Sequence, residues 1–103
     1  MFTSTAQITT ERANGYLQQL CKHFGHKVEV QFDPKSGLIK LPFGTCALNA
    51  DQNILDMTVS AETQAELTKV RRVIASHLER FAFRENPKIV WRELAAPSSA
   101  TNP

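Results

Sequence analysis

Between Glu62 and Glu85, the residues Leu67, Val70, Val73, Ile74, Leu78 and Phe81 recur at the three- and four-residue spacing that stacks side chains along one face of a helix. A helix of that length with one apolar face needs a broad apolar cover. The rest of the chain supplies it as short alternating segments, which predicts a helix-on-sheet domain. With 103 residues there is room for one core, and a chain of this size buries roughly two-thirds of its unfolded surface. Residues 1–94 therefore read as a single α+β domain. The small, polar residues 95–103 have nothing to bury and read as a flexible C-terminal tail.

Phe2 to Thr9 alternates Phe2, Ser4, Ala6 and Ile8 against Thr3, Thr5, Gln7 and Thr9, the pattern of a strand. Thr9 or Thr10 then caps a helix predicted from Glu11, with Ala13, Tyr16, Leu17, Leu20 and Phe24 on its apolar face and Gly25 as its stop. Val28, Val30 and Phe32 form a half-buried strand, and Asp33 to Gly37 turns the chain into a second arm at Leu38 to Leu41. A corner at Pro42-Phe43-Gly44 leads to Thr45–Ala50, and Asp51-Gln52-Asn53 leads to Ile54–Ser60, where Leu55, Met57 and Val59 share one face. After the long helix, Asn86-Pro87 breaks the chain before a short closing strand at Lys88–Leu94. The expected architecture has two layers: an antiparallel sheet of four to six strands on two helices, in the order β-α-β4-α(-β). That order resembles the TATA-box-binding-protein-like and helix-grip folds, whose members bind DNA, small apolar ligands or other proteins, so topology alone does not choose a function.

Composition narrows the partners. The formal charge is +2 with basic and acidic residues interleaved, and the polar sheet face carries Glu29, Gln31, Asp56, Thr58 and Ser60, so nucleic-acid binding is disfavoured. The chain start lacks the basic and apolar run of a signal peptide. No apolar stretch approaches the roughly 20 residues of a membrane span. The expected location is cytoplasmic, with Cys21 and Cys46 as free thiols. A small-molecule ligand or a partner protein remains open, and an edge strand at Phe2–Thr9 or Lys88–Leu94 offers a route to a homodimer.

The densest collection of potential ligands and nucleophiles is Leu20-Cys21-Lys22-His23-Phe24-Gly25-His26-Lys27. On a helix Cys21 and His23 lie about 160° apart, so they cannot hold one ion together. His77 falls on the apolar face of the long helix, which allows two readings. It is a core imidazole hydrogen-bonded to a carbonyl or carboxylate, or it meets His23 or His26 across the helices in a metal or ligand site. Cys21 beside Lys22 is a candidate nucleophile or redox thiol. Phe81 and Phe83 straddle the helix end beside Arg84 and Glu85, an aromatic floor with arginine at its rim suited to an anionic planar ligand or a partner. The candidate ligand residues are His23, His26, His77, Phe43, Phe83, Arg84 and Glu85. No phosphate loop, paired-cysteine zinc motif or serine elbow is present.

Three blocks carry a family resemblance: Leu20 to Lys27, Leu41-Pro42-Phe43-Gly44-Thr45, and His77-Leu78-Glu79-Arg80-Phe81-Ala82-Phe83-Arg84-Glu85. Over about Ala6 to Trp91 the chain resembles the bacterial domain of unknown function 2218. The resemblance implies no established activity and no established cofactor, though a metal ion stays open. Members are similar to domains found beside siderophore-interacting flavin reductases, which implies a link to iron-siderophore handling. The expected function is thus a binding or accessory domain. The alternatives are a small enzyme with His77 or His23 as general base, and a protein-interaction or dimerisation module.

Overall fold

The computed structural model describes residues 1–93. The tail expected at 95–103, together with Leu94, lies outside the described residues. The elements are β1 (Phe2–Thr9), α1 (Ala13–Phe24), β2 (Glu29–Phe32), β3 (Ser36–Leu41), β4 (Gly44–Asp51), β5 (Ile54–Ala61), α2 (Gln64–Phe81) and β6 (Arg92–Glu93). They form the expected α+β arrangement, a six-stranded antiparallel sheet in the order β2-β3-β4-β5-β1-β6 with both helices packed on it.

The register explains the core. Ile39, Cys46, Val59 and Ser4 stand side by side across four strands, and Gly37, Leu48, Met57 and Ala6 form the next row. Because side chains alternate across a strand, both rows point to the helices. Leu67, Val70, Ile74 and Leu78 of α2 and Leu17, Leu20 and Cys21 of α1 are fully buried against them. Each such large aliphatic side chain contributes about 1.5–3 kcal/mol through its removal from water. Ser4 is the polar exception in the row, and Arg71 reaches over from α2 to donate to its hydroxyl at 3.5 Å.

Two glycines set how closely the layers approach. A Cβ on Gly44 would lie 2.5 Å from the Ser60 carbonyl oxygen and 2.6 Å from a Val70 methyl, so α2 rests directly on the start of β4. A Cβ on Gly37 would lie 2.7 Å from the Cys21 sulfur, which places α1 against β3 in the same way.

Several boundaries differ from expectation. The first helix begins at Ala13, and Glu11 sits in the preceding turn, where the Thr10 hydroxyl accepts the Arg12 N–H at 3.0 Å. Gly25 ends the helix in a right-handed conformation, with its N–H on the Cys21 carbonyl at 2.8 Å. Ser36 and Gly37 belong to β3 because Asp33 accepts from the N–H groups of Lys35 and Ser36 and closes the turn earlier. The long helix starts after Thr63, whose side chain accepts the Glu66 N–H at 3.1 Å, and it stops at Phe81 rather than Glu85. The closing strand shrinks to Arg92–Glu93, paired with Thr5 and Ser4. β1 therefore lies inside the sheet, and the open edges belong to β2 and β6. No helix among the described residues is long and apolar enough to cross a membrane.

Candidate functional site

The exit of α2 builds a cleft. Beyond Phe81 the chain turns at Ala82, whose carbonyl accepts the N–H groups of Glu85 at 2.9 Å and Asn86 at 3.0 Å. Asn86 takes a positive φ of 47°, a conformation asparagine tolerates better than most residues. The turn on Ala82 carries Glu85 back over the start of α1. There its carboxylate accepts hydrogen bonds from the Tyr16 hydroxyl and from the Thr10 hydroxyl, the latter at 3.1 Å. Thr10 is itself fixed by its N–H on the Asn53 carbonyl at 2.8 Å. The cleft of about 590 Å³ between these groups is lined by Arg12, Tyr16, Asn53, Phe81, Phe83, Arg84 and Glu85, with Thr9, Thr10 and Glu11. Its volume lies within the usual range for small-molecule sites.

Its electrostatics follow from these contacts. The hydrogen bond from Tyr16, then that from Thr10, then the nearby Arg12 charge hold the Glu85 carboxyl below its ordinary range. Burial of the ring, and next the Glu85 carboxylate it bonds, push the Tyr16 phenol up. Phe83 is 67% exposed, and the Arg84 guanidinium sits 5.6 Å from its ring centre. Among the described residues the ion pair is Lys40 with Glu29, at 3.4 Å, so neither Arg12 nor Arg84 is engaged by a carboxylate there.

The histidines occupy a neighbouring place. The rings of His23 and His77 are 4.8 Å apart, centre to centre, tilted by 45°. Phe24 lies 4.9 Å from His77, and Phe81 packs edge-on against His23 at 5.8 Å. His77 Nδ1 donates to the Val73 carbonyl, one turn back on its own helix, at 2.7 Å. Loss of part of its hydration first, then the approach of His77, Lys27, His26 and Arg80, lowers the His23 pKa.

The expected site residues thus separate. Phe83, Arg84 and Glu85 share the cleft, whereas His23 and His77 form a pair and His26 lies in the turn after α1. Phe43 is a partly buried side chain packed on the core and takes no part in the cleft lining. Among the described residues no three or more His, Cys, Asp or Glu side chains are grouped to hold a metal ion. Cys21, the candidate nucleophile, is fully buried on the sheet-facing side of α1, and burial pushes its thiol up to about 11. Sequence reasoning does not find Thr10, Arg12 and Tyr16. The available signal is Tyr16, because a phenol placed on a core-facing stripe needs a partner for its hydroxyl.

Comparison with known proteins agrees with the architecture. A family model described as "Uncharacterized protein conserved in bacteria (DUF2218)" matches residues 5–92. The NMR structure of PA4090 from Pseudomonas aeruginosa is similar, with 37% sequence identity over 89% of this chain and 96% of that chain, at a TM-score of 0.77. Comparison with curated proteins gives no match.

Proposed function

Taking as premise that the chain belongs to the bacterial DUF2218 family, we propose that it is a binding domain whose ligand site is the cleft at the exit of α2. The ligand is a small aromatic monoanion. Its ring stacks on Phe83 and its acid group meets Arg84 or Arg12. One observation carries this reading: Glu85 is already hydrogen-bonded to Tyr16 and Thr10, while both guanidiniums lining the same cleft have no ion-pair partner among the described residues. Glu11 and Glu85 offset the two arginines in the lining, which disfavours a ligand with more than a single negative charge.

A general-base reading of His23 or His77 has less support. His77 commits Nδ1 to the Val73 carbonyl, and the Cys21 thiol is buried out of reach of a substrate. The link to iron-siderophore handling rests on family resemblance, and the cleft supplies no ligand set specific to it. Calorimetric titration with salicylate and with a ferric catecholate complex tests both points. Salicylate binding that weakens about tenfold or more in Arg84→Ala, the loss expected for one charged hydrogen bond, supports the cleft. Binding of neither compound removes the ligand proposed.

A further inference from the structure

The histidine pair and the cleft share a wall. Phe81 lines the cleft on one side and packs edge-on against His23 on the other. We infer that His23 and His77 form a proton-sensitive latch between α1 and α2 that sets the position of Phe81. Its consequence for ligand binding rests on the cleft reading above, while the latch itself does not.

Charge drives the latch. The two rings form a tilted pair at 4.8 Å that packs against Phe24 and Phe81. Every group acting on the charge of His23 is a cation or becomes one: His77 and Arg80 from α2, Lys27 and His26 from the turn after α1. No carboxylate is among them. Glu79, the acidic residue nearest to His77 on α2, lies two positions on and about 200° round the helix. A proton arriving on His23 therefore meets repulsion with no compensating partner, and separating the rings relieves it. His77 is tethered by the Val73 carbonyl, so the exposed His23 side is the one that swings, taking its contact with Phe81 along.

Histidine ring protons and the Phe81 ring resonances followed by NMR from pH 8 to pH 5 test this. The latch predicts that Phe81 shifts along the His23 titration curve, and that in His77→Gln the His23 midpoint rises. In His23→Gln, an exposed position that leaves the core intact, the Phe81 shift with pH is lost. Phe81 resonances constant through the His23 titration, or an unmoved His23 midpoint in a folded His77→Gln protein, overturn the latch. If Phe81 follows His23 but salicylate binds at no pH, the latch stands and the ligand reading fails. If salicylate binds equally at pH 5 and pH 8, the coupling of latch to cleft fails.

Discussion

The Tyr16 hydroxyl, on the first turn of α1, donates to the carboxylate of Glu85, four residues past the end of α2. This bond ties the two helices together at the mouth of the cleft, across 69 residues of sequence. Tyr16→Phe keeps the buried ring and removes only the hydroxyl. We expect a loss of about 1 kcal/mol, the net worth of a partly exposed hydrogen bond, and a fall in Tm of about 4–8 °C for a domain of this size. Calorimetric melting of the variant checks it.

The same carboxylate sets an acid dependence. Glu85 has a folded pKa depressed below the ordinary 4.5, so its contribution is fully present above that value and is lost as pH falls through the lower folded one. His23, also depressed, is a base whose neutral form the fold favours, so its contribution is lost as pH falls below the ordinary 6.5. Stability therefore declines in two stages on acidification. In Glu85→Gln the lower stage shrinks to what Asp33, held below its ordinary value by the Lys35 and Ser36 N–H groups, contributes, and the variant's stability converges with that of the parent as pH falls through the depressed Glu85 value. Thermal unfolding across pH 3–8 measures both.

How much of this is legible in the chain depends on the range of the interaction. The buried stripe Leu67, Val70, Ile74 and Leu78 follows from spacing alone, because a helix face is a local pattern. So do the sheet rows built on Cys46, Leu48, Leu55, Met57 and Val59. The helix end differs from expectation because Phe83, Arg84 and Glu85 are compatible with helix, while the chain leaves helical geometry already at Ala82 and turns on the Ala82 carbonyl. Glu85 and Phe83 stand out as unusual residues at a helix exit. The groups that meet Glu85, Tyr16, Thr10 and Arg12, come from the far end of the chain, and no periodicity announces such a meeting. The histidines are a third case: the face of α2 that carries His77 allows a meeting with His23 or His26, and the fold pairs it with His23, with no group of three metal ligands among the described residues.

Two glycine substitutions should act with opposite sign. Gly44→Ala puts a methyl against the Ser60 carbonyl and Val70, where the backbone cannot yield, and should cost about 1–3 kcal/mol. Gly15, inside α1, has open space around the position a Cβ would take, with no atom within 4 Å. Gly15→Ala should stabilise by about 0.5–1 kcal/mol through helix propensity. Urea unfolding of the pair gives both numbers.

The cysteines should be silent in the folded protein. Cys21 is raised to about 11 by burial, and Cys46 is raised further by burial and by Cys21 beside it. Neither thiol should react with a disulfide reagent at pH 8 until urea unfolds the chain. A fast-reacting native thiol would restore Cys21 as a candidate nucleophile.

The most direct test of the cleft is an amide and side-chain NMR titration with salicylate. A ligand seated at the exit of α2 produces shifts concentrated at Thr9 to Arg12, Asn53 and Phe81 to Glu85, with the Arg84 side chain among the largest. Shifts clustered instead on the open sheet face around Gln7, Asp56 and Arg92, or none at millimolar ligand, would contradict it.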